Sequence, residues 1–131
     1  MIKISLLLIS IFSLLYGLVF SFAPFFFAEL TQADPTNIAW LRNIGASICG
    51  VLFLGLLFVY RSPSKNYDLF MIITVTSILQ TLGLIFSRFY NEFSAQNTLV
   101  IDFTIYSAIF VSLYLVYILS LIHISEPTRP Y

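Results

Sequence analysis

The sequence predicts an all-α protein, an antiparallel bundle of four transmembrane helices. The chain has 131 residues, of which 60% are hydrophobic and only 9% are charged, whereas a soluble domain is about 45–50% apolar and about 25% charged. A chain this short cannot bury so much apolar surface away from water, and its low charge also excludes a disordered protein. Four apolar stretches of about 20 residues are each long enough to cross a hydrocarbon core about 30 Å thick.

The predicted spans cover residues 4–23, 41–60, 68–88 and 99–122, within one membrane domain that covers residues 1–122. The first span has no charged residue and is longer than the apolar core of a signal peptide, which is about 7–15 residues. Pro24 would directly follow a cleavage point there. We therefore expect this segment to be a retained helix.

The connectors are defined by residues that interrupt helices. Pro24 disfavours a helical backbone at Ala23, and the aromatic segment 25–30 is suited to lie along the membrane interface. Residues 34–37 have the sequence Asp-Pro-Thr-Asn, which is typical of a turn. The short connector 61–66 predicts that the second and third spans are antiparallel neighbours.

The basic residues predict the orientation. With the N-terminus inside the cell, Lys3, Arg61 and Lys65 lie inside, whereas Arg42 and Arg88 lie outside. This bias favours cytoplasmic N- and C-termini in a plasma (inner) membrane. Six basic residues balance six acidic ones, so there is no basic patch for nucleic acid, and the lipid bilayer is the predicted partner.

The residue types exclude several kinds of chemistry. A single cysteine and a single histidine do not supply the ligands of a haem or zinc site or a redox dithiol. No span has a carboxylate near its middle, where proton-coupled transporters need one. We therefore expect no cofactor, no metal and no catalytic residue.

Charged residues gather at the outer ends of three spans. Arg42 opens the second span, Arg88 closes the third and Asp102 opens the fourth. Glu29 lies in the adjoining connector, and Tyr106 follows Asp102 by one helical turn. One interpretation is an outward-facing polar pocket for a small anionic or zwitterionic ligand or a lipid headgroup. The other, which we favour, is that Asp102 pairs with Arg42 or Arg88 and pins helix ends together.

Small residues recur every four positions in the second span, as Gly45 and Cys49 and as Ala46 and Gly50. This spacing lets two helix backbones approach closely. Gly17 in the first span is a suitable partner. We expect packing within one chain, although the same pattern also serves dimer interfaces.

Gln80 is the one strongly polar amide near the middle of a span. Inside a bilayer such an amide needs a hydrogen-bond partner, so it should face another helix. Its expected role is to join helices, and the alternative is a ligand or proton path.

The C-terminal segment from Ser120 resembles a translated sequencing adapter. Residues 123–131 are therefore expected to be a disordered or artefactual tail, with the natural C-terminus missing. His123 lies in this tail and receives no role.

Residues 41–57 combine Arg42 with Gly45, Gly50 and a run of leucines. Together with the helix that ends at Pro24 and with Arg88 after the third span, this pattern resembles a small bacterial four-span family of unknown function near the DoxX-like membrane proteins. The resemblance covers residues 4–120. It implies a four-helix architecture in the inner membrane and no established reaction.

These observations favour an accessory or interaction subunit with a membrane-protein partner or a second copy of itself. The first alternative is an oligomeric small transporter or channel subunit. The second is a membrane enzyme that acts on a lipid or a quinone, with acid–base groups from the outer charged cluster.

Overall fold

The computed structural model describes residues 2–32, 38–63, 65–93, 96 and 98–125, and within these ranges it contains five helices and no strand. The helices are α1 (Ile2–Phe22), α2 (Pro24–Thr31), α3 (Ile38–Arg61), α4 (Tyr67–Phe89) and α5 (Thr98–Ser125). All except α2 are long and apolar enough to cross a membrane. The predicted fold class is therefore confirmed.

Proline separates α1 from α2. Ala23 has the non-helical angles φ −124° and ψ 46°, as expected for a residue that precedes proline. Pro24 then occupies the first turn of α2, where its missing N–H has no helical partner to lose. The ring centroid of Phe27 lies 4.7 Å from that of Phe20, so α2 folds back onto the end of α1. The predicted turn at residues 34–37 lies outside the described residues.

The middle of α3 is a π-helical stretch, Ile48–Leu54. In such a stretch the backbone hydrogen bonds join residues five apart rather than four. Ser10 of α1 donates a hydrogen bond of 3.0 Å to the carbonyl oxygen of Phe53 in this stretch. The irregularity has no signal in the residue pattern, and the sequence did not predict it.

Helix α5 extends beyond its predicted end. It continues to Ser125, so residues 123–125, which were expected to belong to a disordered or artefactual tail, are helical. Ile124 prolongs the apolar run of this helix. The ring of His123 lies 6.1 Å from that of Tyr67. Residues 126–131 lie outside the described residues.

The apolar core lies in the half of the bundle that holds the N-terminus of α1. Every spanning helix contributes to this cluster, whose most deeply buried members are Leu6, Leu56, Val59, Phe70, Ile73, Leu115 and Ile118. Tyr114 of α5 donates a 2.7 Å hydrogen bond to Ser5 of α1, which joins the first helix to the last. Only 22–28% of each span is buried, so the remaining apolar surface needs lipid around it.

Helices α1 and α3 make a close backbone contact. A Cβ atom on Gly45 would lie 2.7 Å from the backbone nitrogen of Ser21 and 2.8 Å from the carbonyl oxygen of Gly17. Cys49 lies against Gly17 on the same face. This confirms the predicted packing within the chain. The second small-residue pair faces outward, since both Ala46 and Gly50 are exposed.

Candidate functional site

Four helix ends meet at one boundary of the bundle, which we call the Asp102 boundary. The antiparallel order places the end of α1, the start of α3, the end of α4 and the start of α5 there. Arg88 lies in the last turn of α4, and Asp102 lies in the second turn of α5. Both residues occupy depths where a charged side chain can still reach water.

Arg88 and Asp102 form an ion pair with two contacts. The Nε of Arg88 donates to Oδ1 of Asp102 at 2.7 Å, and Nη2 donates to Oδ2 at 3.3 Å. The side chains are 38% and 33% exposed. Two parallel donors make such a pair directional. The ion pair joins the end of α4 to the start of α5. Of the two partners predicted for Asp102, Arg42 and Arg88, the structure shows Arg88.

A shallow, open recess of about 120 Å³ lies beside this ion pair. Its other walls are Ile85, Ile105 and the exposed Tyr106. The structure therefore brings together three predicted residues, Arg88, Asp102 and Tyr106. The two isoleucines had no polar signal that could mark them in the sequence.

Arg42 occupies a different position and is not part of this recess. Its Nη1 donates a 2.8 Å hydrogen bond to the backbone carbonyl oxygen of Ser21. This carbonyl belongs to the last turn of α1, which ends at Phe22. Carbonyl groups in the last turn of a helix have no N–H donor within that helix. A cation at this end also interacts favourably with the helix dipole. Arg42 therefore caps α1, and Arg88 is the partner of Asp102.

Glu29 is also separate from the ion pair. It is exposed on α2, where Phe26 and Leu30 join it around an open depression of about 350 Å³. The two recesses share no lining residue. The charged cluster that the sequence predicted as one site is thus divided into an ion pair, a helix cap and a carboxylate on α2.

Hydroxyl groups join α4 to α5 at mid-depth. The Oγ of Ser112 lies 2.8 Å from Oγ of Ser77 and 2.9 Å from Oγ1 of Thr81, and all three side chains are buried. Ser77 and Thr81 are one helical turn apart, which is the signal that could have identified them. Gln80, for which this role was predicted, is half-buried, and its side chain has no hydrogen bond within the described residues.

Aromatic residues mark both boundaries of the spanning region. Trp40, Tyr90 and Tyr106 are exposed near the Asp102 boundary, and Tyr60 and Tyr67 flank the loop at the opposite one. Tryptophan and tyrosine are favoured at membrane–water interfaces. The distribution therefore agrees with helices that cross the bilayer completely.

The described residues contain no group of three or more His, Cys, Asp or Glu side chains that could hold a metal ion. In the same part of the chain, every fully buried polar side-chain atom has a hydrogen-bond partner. Comparison of the chain with protein-family models, with curated proteins and with solved structures gives no match. The fold and the site define a multi-pass membrane protein with an intramolecular ion pair at one boundary.

Proposed function

We propose that this chain is a non-catalytic accessory subunit that acts by binding other membrane proteins. The proposal rests on what the charged side chains at the Asp102 boundary bind, which is other parts of the same chain. Arg88 and Asp102 bind each other at two points, and Arg42 caps α1. Acid–base catalysis needs a titratable group placed to exchange a proton with a substrate, whereas these groups hold helix ends in position.

The proposal includes a location in the plasma (inner) membrane with both termini in the cytoplasm. Its support is that, among the described residues, Lys3, Arg61 and Lys65 lie at one boundary and Arg42 and Arg88 at the other. Basic residues in short loops favour the cytoplasmic side. Kinship with the bacterial four-span family near the DoxX-like proteins is also part of the proposal, and the four spanning helices support it.

The test compares native membranes with liposomes that contain the purified chain. In native membranes the chain should migrate in a complex with another membrane protein, and Arg42→Ala should lower the amount of this complex because it loosens the end of α1. In liposomes the purified chain should cause no flux of ions or small solutes. Solute flux that depends on the chain, or turnover of a lipid or quinone substrate, would overturn the accessory role and favour the transporter or the enzyme.

A second candidate role is the binding of one lipid headgroup in the recess beside the ion pair. The recess favours this role because Arg88 is partly exposed there and Tyr106 supplies a hydroxyl group near the interface. A phosphate group can accept hydrogen bonds from the guanidinium donors that Asp102 leaves free. Native mass spectrometry should then show one retained phospholipid that Arg88→Gln removes and that the control Arg61→Gln retains. Equal lipid retention in both variants would contradict the role.

A further inference from the structure

One stripe of α4 has polar and small residues, and no helix among the described residues forms a side-chain hydrogen bond to it. Thr76, Gln80, Gly83 and Ser87 are spaced by four, three and four residues, which places them on one helix face. Gly83 is exposed and the other three are half-buried. We call these four residues the Gln80 stripe. It is a different face from the one that binds Ser112 of α5.

Gln80 lies at the most apolar depth of the membrane. Since α4 is Tyr67–Phe89, Gln80 is displaced from the helix midpoint by only about 3 Å at the rise of an α-helix. Its amide has two N–H donors and a carbonyl acceptor, and its side chain makes no hydrogen bond among the described residues. An amide that faces acyl chains without a hydrogen-bond partner raises the free energy of the folded protein. The stripe is therefore suited to contact another protein.

Gly83 leaves room for that contact. A Cβ atom added to Gly83 would meet nothing within 4 Å, so the glycine is not required by packing inside the chain. Small residues on an outer face let a second helix approach closely. Leu79 and Ile72 beside the stripe are 62% and 59% exposed, and they supply apolar surface around the amide.

A second copy of the same chain is a suitable partner for the Gln80 stripe. Two copies inserted in the same direction are related by a twofold axis along the membrane normal, so each residue meets its counterpart at its own depth. A glutamine amide is complementary to itself, because each copy can donate one N–H to the carbonyl oxygen of the other. We propose that two copies of this chain pair through α4, with Gln80 bonded to Gln80 and Gly83 at the close approach. This inference goes beyond the proposed accessory role, because the partner here is a second copy of the chain itself.

The experiment measures the dimer of the full chain in phosphatidylcholine liposomes. Donor and acceptor dyes on a cysteine at position 96, in a Cys49→Ala background, report energy transfer as the protein-to-lipid ratio is varied. Gln80→Leu should raise the dissociation constant about tenfold, which is the worth of hydrogen bonds between membrane helices. Gly83→Leu should abolish the dimer because its side chain occupies the partner's space. Thermal unfolding of each variant checks that the fold is retained.

Gly50 provides the matched control. It lies on α3, and an added Cβ there would also meet nothing within 4 Å, so Gly50→Leu should leave the dimer unchanged. In a second measurement, Gly83→Cys should form an intermolecular disulfide under mild oxidation, and Gly50→Cys should not. If Gly50→Leu disrupts the dimer while Gly83→Leu does not, the interface is the small-residue face of α3 and the proposal is wrong.

Two further outcomes separate this inference from the accessory role. A chain that is monomeric in liposomes but bound to another protein in native membranes would overturn the dimer alone. A chain that dimerises through the Gln80 stripe and also conducts solutes would overturn the accessory role alone.

Discussion

Gly45→Ala should separate the first and third helices. The new methyl group would lie 2.7 Å from the backbone nitrogen of Ser21 and 2.8 Å from the carbonyl oxygen of Gly17, whereas ordinary contacts begin at 3.4 Å. The side-chain Oγ of Ser21, at 2.6 Å, can turn away, but the other two atoms belong to the backbone, so α1 must retreat by about 0.7 Å. Overpacking of this kind costs about 1–3 kcal/mol. The shift also lengthens the bond from Arg42 to Ser21, because Arg42 lies one turn before Gly45.

Reversible unfolding in mixed micelles of mild detergent and sodium dodecyl sulfate measures this cost. Gly50→Ala is the matched control, since its methyl group meets open space and Gly50 lies outside the proposed dimer contact. Alanine is also favoured over glycine in a helix by about 1 kcal/mol. The control should therefore be neutral or stabilising. Equal unfolding free energies for Gly45→Ala and the unchanged protein would refute the close contact between α1 and α3.

Three other substitutions test the polar contacts. Ser112→Ala should lower the unfolding free energy by about 1 kcal/mol, because Ser77 and Thr81 lose their shared partner. Calorimetry measures this loss. The control Ser107→Ala should show none, since the hydroxyl group of Ser107 bonds to a carbonyl of its own helix. Arg88→Asp and Asp102→Arg should each lower the melting temperature and the double variant should restore it, so failure of this rescue would contradict the ion pair. Arg42→Ala should shift the fluorescence of Trp40, two residues away, as the end of α1 loosens, and an unchanged spectrum would show that the cap has no structural effect.

The four spans were predictable because a membrane helix is specified locally. Its length and apolar content are properties of one segment, and Pro24 marks a helix end without reference to the rest of the chain. Irregularities were harder to predict. The π-helical stretch Ile48–Leu54 accepts a hydrogen bond from Ser10 of α1, a contact between distant parts of the chain that no local pattern indicates. The continuation of α5 to Ser125 was not predicted because this segment resembles an adapter sequence.

The composition of the candidate site was only partly predictable. The positions of Arg42, Arg88 and Asp102 in their spans predict a common depth in the membrane, but depth alone does not identify which residues are neighbours. The pairing of Arg88 with Asp102 follows from the adjacency of α4 and α5, and Arg42 bonds to α1 instead. In the same way, the polar amide of Gln80 was predicted to join helices, whereas Ser112, a less polar residue, has its hydroxyl group buried between two helices.

Cysteine accessibility tests the four membrane crossings most directly. Single cysteines replace Lys3, Lys65 or Gln96 in a Cys49→Ala background, and a membrane-impermeant maleimide is added to intact cells. Only the cysteine at position 96 should be labelled, and those at positions 3 and 65 should react after the membrane is opened. Labelling of positions 65 and 96 from the same side would show that α4 does not cross the bilayer and would contradict the account.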